Sequence, residues 1–111
     1  MVAYDEDLAH RVRELLGGTA GVQEKRMFGG LAFMVGGHMA VCVSGQGGLM
    51  VRVPAEETDA LLERAHVEPM AMAGRETRGW IRVDTAGVAT KRQLRTWVDK
   101  GARYAEGLPA K

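Results

Sequence analysis

The sequence predicts an α+β domain in which helices pack on a largely antiparallel sheet. Apolar residues recur at helical spacing near both ends, as Leu8, Val12, Leu15 and Leu16 and again as Leu94, Trp97, Val98, Ala102 and Ala105. Between them, short apolar runs alternate with glycine-rich breaks, which is the pattern of hairpins. Segregated runs of this kind indicate α+β and not alternating βαβ units. With 111 residues, 46% hydrophobic and 26% charged, the chain fits one domain with its own core.

Asp5, Glu6 and Asp7 suit the positive end of a helix dipole, and Gly17-Gly18 ends the apolar stripe that follows. Helix one is therefore expected over about Asp5 to Leu16. Leu31 to Val35, His38 to Val43 and Leu49 to Val53 are expected as strands, with Val22 to Phe28 as a further one, which makes three or four antiparallel strands before the second helix. Gly36-Gly37 is a two-residue hairpin turn, because glycine accepts the positive φ that primed turns need. Ser44 to Gly48 reads as a looser hairpin loop. Pro54 at a first helical position, followed by Glu56, Glu57 and Asp59, predicts a second helix to Ala65. Met70 to Ala73 and Trp80 to Val83 look like two further strands around a polar turn, Gly74 to Gly79. Thr90 and Gln93 have capping-box spacing, so helix three is expected over Lys91 to Glu106, before Gly107 and Pro109.

Little in the sequence points to catalysis or to a cofactor. Cys42, the single cysteine, lies in a predicted strand; His38 is roughly 13 Å along the same strand, too far to act on it. A small buried hydrophobe is the expected role. His10, His38, His66 and Cys42 lack the paired spacing of a metal site. Ser44 lacks the flanking glycines of a nucleophile elbow. No phosphate-loop motif occurs, and Gly45-Gln46-Gly47 precedes a strand. Glu56, Glu57, Asp59 and Glu63 belong on a solvated helix face. Met27, Met34, Met39, Met50, Met70 and Met72 are expected to fill gaps in the sheet core.

Charge is more informative. The formal net charge is only +1, so no general attraction to nucleic acid or anionic lipid is expected. Between Arg75 and Arg103, however, eight basic residues face three acidic ones, and Lys91, Arg92 and Arg95 crowd the start of helix three. A solvated face is the ordinary reading; contact with nucleic acid through Lys91, Arg92 and Arg95, or with an acidic protein, is the functional one. Trp97 falls on the apolar stripe and is expected in the core. An acidic, non-apolar start and a lone cysteine suggest a reduced, cytoplasmic protein without a signal peptide or a membrane span.

Lys25-Arg26-Met27-Phe28-Gly29-Gly30-Leu31-Ala32-Phe33 resembles the signature of the N-terminal domain of the TfoX/Sxy competence-regulator family. Leu49 to Val53, Trp80-Ile81-Arg82-Val83 and Leu94-x-x-Trp97-Val98 resemble that family's later strands and last helix, so the match covers nearly the whole chain. The resemblance implies a small α+β sandwich like those of secretion chaperones, with no catalytic residues and no cofactor. It further implies a link to transcriptional regulation, since two-domain members control natural competence together with a cyclic-AMP-responsive activator. Those members continue into a helical C-terminal domain where this sequence ends at Lys111, so a stand-alone module is expected. In the motif, Phe28 would pack at the strand end, and Gly29-Gly30 would permit a tight turn. Arg26, Arg52 and Arg82 would line one face of the sheet if the registers align, there to hold an anion or to pair with helix acids. The leading expectation is a non-enzymatic module acting through a protein partner, with a homodimer across a sheet edge or the methionines also open.

Overall fold

The computed structural model describes residues 4–27, 29–72 and 75–109. Phe28, Ala73 and Gly74, which the sequence assigns to a strand end and a turn, lie outside them. Helix α1 (Glu6–Leu15) starts at Asp5, whose carboxylate accepts the Leu8 N–H. Four strands follow, β1 (Val22–Met27), β2 (Gly30–Val35), β3 (His38–Val43) and β4 (Leu49–Arg52). After a short 3₁₀ turn and the one-turn helix α2 (Thr58–Leu61) come β5 (Val67–Met72), β6 (Arg75–Val83) and the long helix α3 (Lys91–Glu106). All six strands join one antiparallel sheet in the order β1-β2-β3-β4-β6-β5. The α+β expectation is met, and α3 has the bounds its capping box predicted. Thr90 accepts the Gln93 N–H at 3.1 Å, while Gln93 accepts the Thr90 N–H at 3.0 Å. None of the helices among the described residues is long and apolar enough to cross a membrane.

Two elements differ from expectation. The second helix does not reach Ala65. Beyond Leu61 the N–H groups of Glu63, Arg64 and Val67 bond three residues back, so the chain tightens into successive turns and leaves through His66 at φ 69°. The polar turn expected over Gly74 to Gly79 is, from Arg75 onward, part of β6. Gly79, at φ 91°, absorbs an irregularity without ending the strand: its N–H goes to Thr58 Oγ1 at 2.9 Å and its carbonyl takes the Val53 N–H at 2.9 Å.

Strand pairing sorts the side chains onto two faces. Leu31, Phe33, Val41, Val43, Leu49, Val51, Ile81 and Val83 meet Leu8, Val12, Leu94, Trp97 and Val98 of the helices in one core. A register shift opposite Phe33 and Met34 lets both Ala40 and Val41 of β3 reach that layer. Ala32, Met39, Cys42, Met50 and Met70 form a second buried cluster on the opposite face, flanked by Met27, Met34 and Trp80. The gap-filling role read for the methionines fits those that are buried here. Helix α3 lies along β3 and β4, and α1 packs beside α3. Arg13 forks onto Glu24 of β1 with bonds of 2.6 and 2.7 Å, which holds the Glu24 carboxyl below its ordinary range.

Candidate functional site

The family-like signature turns out to be a corner of the sheet. Met27 pairs with Gly30, and Gly29 takes φ 72°. A Cβ on Gly30 would fall 2.0 Å from the Val43 carbonyl oxygen, so only glycine lets β2 approach β3 there. The three strand arginines are not brought together. Arg26 pairs with Leu31 and so belongs to the helix-side face of edge strand β1, whereas Arg52 and Arg82 align with Trp80 and Met50 on the other face. None of the three pairs with a helix acid among the described residues. Arg52 stacks on Trp80 and Tyr104, 5.5 and 5.7 Å from the ring centres. Arg82 donates to the Gly47 carbonyl at 3.0 Å and to Gln46 Oε1 at 3.4 Å, closing the β3–β4 loop.

Cys42 is fully buried, and burial pushes its thiol up to about 11, partly opposed by the charge of Arg82. The histidines have other partners: His38 Nε2 contacts the Pro109 carbonyl, His10 pairs with Glu14, and His66 with Asp84. Among the described residues no three metal-ligating side chains converge. In the folded protein Cys42 is therefore expected to resist a thiol reagent at pH 8. Its folded pKa lies above the unfolded one near 9, so the unfolded chain loses this proton first and stability falls as pH rises above about 9. Urea unfolding should show a loss of about 1 kcal/mol by pH 10 that is missing in Cys42→Ala.

The exposed face of α3 is where charge gathers. Lys91, Arg92 and Arg95 are exposed, and no carboxylate among the described residues pairs with them. Shallow depressions run past them in sequence and share their walls. One lies between α1 and α3, walled by Arg11, Glu14, Lys91 and Arg95 with Leu15 and Leu94 between them. A second is made by Lys91, Arg92 and Arg95 alone. A third joins Arg92 and Thr96 to Arg64 and His66, and a fourth continues from Arg64 to Asp99, Lys100 and Arg103 beside Glu57. Together they form a furrow bordered by seven cationic side chains (Arg11, Arg64, Lys91, Arg92, Arg95, Lys100 and Arg103) and three carboxylates. Two of those carboxylates are engaged, Glu14 with His10 and Glu57 with Lys100, each at 2.9 Å.

The charge run on α3 was legible in the sequence; Arg11 and Arg64 were not. Arg11 reaches across from α1 to the Ala89 carbonyl at 3.2 Å, just before the helix starts. Arg64 lies 4.7 Å above the ring of Trp97, which is itself buried as its place in the apolar stripe required. Only the tertiary docking of α1 and of the segment after α2 brings these two guanidiniums to α3. Meanwhile Leu94, Trp97, Val98, Ala102 and Ala105 all point inward, so apart from the half-buried Tyr104 α3 shows water a polar, cationic surface.

The chain is thus a one-sheet α+β domain with its helices packed on one face and a cationic last helix. The TfoX N-terminal domain family matches residues 14–105, most of the chain, and the protein belongs to that family. It is not a known enzyme family. No curated protein and no solved structure matches the chain.

Proposed function

We propose that this domain is a non-enzymatic, cytoplasmic binding module whose working surface is the outward face of α3, and that it engages the phosphate backbone of double-stranded nucleic acid. The observation that carries this reading is the furrow of cations along a face whose apolar side chains among the described residues, Leu15, Pro54 and Tyr104, are at most half-exposed and scattered. Protein interfaces draw their affinity from a desolvated core of aromatic and aliphatic side chains, and α3 directs its own inward except for the half-buried Tyr104, which lies under Arg52. This favours a polyanion over the protein partner that the sequence first suggested. Single strands are gripped largely by stacking on exposed aromatic rings, and the furrow's rings, Trp97 and Tyr104, are buried or already stacked under arginines. Duplex backbone, bound without regard to sequence, fits best. Membership of a family whose two-domain relatives act in transcriptional control is consistent with such a role.

Helix energetics supply a test. Lys91 and Arg92 occupy the first two positions of α3, where the helix dipole disfavours positive charge, and the first turn holds no acid. The double change Lys91→Glu with Arg92→Glu is expected to raise stability by about 1 kcal/mol, measured by urea unfolding. The same variant is expected to lose duplex binding in a fluorescence anisotropy titration. A variant that is stabilised and still binds duplex as tightly as the parent would contradict the proposal.

A further inference from the structure

The third depression of the furrow differs from the others in chemistry. It has a volume of about 450 Å³ and is walled by Arg64, His66, Arg92, Gln93 and Thr96, with Trp97 also lining it; among the described residues no carboxylate lines it. His66 is the only non-glycine at positive φ among the described residues, and such backbone strain persists only where the surroundings hold it. Here Gly87 makes it possible, since a Cβ at that position would lie 2.8 Å from the His66 Cβ and 2.5 Å from Val83 Cγ1. The His66 carbonyl takes the Asp84 N–H at 2.9 Å, and His66 Nδ1 faces the Asp84 carboxylate at 3.2 Å. That carboxylate also accepts the Gly87 N–H at 3.0 Å, so it is engaged behind the ring. Nε2 is then the ring nitrogen left for a ligand. Gln93 accepts the Thr90 N–H with its amide oxygen, which leaves its amide N–H₂ group without a partner among the described residues. Neither Arg64 nor Arg92 has a carboxylate partner among the described residues.

Two guanidiniums, an imidazole and an amide around one acid-free recess match a small dianion with several acceptor oxygens. We infer that this recess is a binding site for a phosphate monoester. The inference rests on the polyanion reading only for the source of that phosphate, which is either the phosphorylated end of a nucleic acid or a free phosphate ester.

The test uses the whole chain labelled with ¹⁵N and titrated with inorganic phosphate, with sodium chloride at matched ionic strength as control. Saturable shifts of the His66, Gly87 and Gln93 amides with phosphate, but not with chloride, are expected. His66→Asn keeps a residue that tolerates positive φ while removing the imidazole, and should weaken phosphate binding about tenfold. Arg64→Gln, on a different segment, should weaken it by a similar factor. A second arm compares duplexes of one sequence with 5′-phosphate or 5′-hydroxyl ends. Tighter binding of the phosphorylated duplex assigns the recess to nucleic-acid ends. Equal binding with the phosphate shifts intact assigns it to free esters. No saturable shift, equal shifts with chloride, or undiminished binding by both variants would overturn the inference. Failure of the polyanion reading would show separately, as absent duplex binding beside an intact phosphate titration.

Discussion

Gly101→Val is expected to destabilise the domain by about 3 kcal/mol, which corresponds to a fall in melting temperature of about 10–15 °C. Gly101 is in the middle of α3, where glycine normally costs a helix about 1 kcal/mol relative to alanine. The reason for it lies across the interface. A Cβ there would stand 2.4 Å from the Ala40 carbonyl oxygen and 3.0 Å from Val41 Cγ1 of β3. The first neighbour is backbone, held in the ladder and in the bulge that turns Ala40 and Val41 to the same side, so it cannot yield as a side-chain tip would. Relief requires lifting α3 off the sheet, which would open the contacts of Leu94, Trp97, Val98 and Ala105 with the core. Gly101→Ala should show the same sign at smaller size, because the gain in helix propensity offsets part of the clash. A thermal melt of each variant checks the order; a Gly101→Val protein as stable as the parent would mean that α3 sits farther from β3 than described.

That close approach also bears on function, since it fixes which side of α3 faces solvent. With the backbone of Gly101 against β3, the cationic residues have no inward orientation available. Their arrangement follows from packing and not from charge, so the proposed binding surface is expected to stay in place when charges are altered. Lys91→Glu with Arg92→Glu can therefore test binding without disturbing the fold.

Local signals and tertiary ones divided the legibility of this chain. The α3 bounds were readable because a capping box and a helical stripe are written into adjacent residues. Gly36-Gly37 was readable too: both take positive φ, at 61° and 88°, as a primed turn demands. The shortening of the second helix was not, because it depends on turns that tighten after Leu61 and on the room Gly87 makes for His66. Nor was the extension of β6 through Gly79, whose bonds go to Thr58 and Val53, far away in sequence. The strand arginines depended on register: Arg26 aligns with Leu31 and Arg82 with Met50, so they take opposite faces of the sheet. Of the furrow, the part on one helix was visible as a charge run. The parts supplied by Arg11 and Arg64 arrive only through packing.

The second large effect is electrostatic. Each phosphate neutralised by a lysine or arginine releases condensed counterions, so affinity for duplex falls with salt as a power set by the number of contacts. Lys91, Arg92, Arg95 and Arg11 or Arg64 would supply about four such contacts, for a log–log slope of about −3.6. Between 50 and 200 mM salt the affinity should then drop about a hundredfold. Binding without an apolar or base-specific component should also be indifferent to duplex sequence. The most direct measurement is the affinity of the purified domain for a short duplex across that salt range, repeated with a second, unrelated sequence. Steep, parallel salt dependences for the two duplexes are the predicted result. A flat response to salt, or no binding even at 50 mM, would contradict the assignment of α3 as a phosphate-backbone surface.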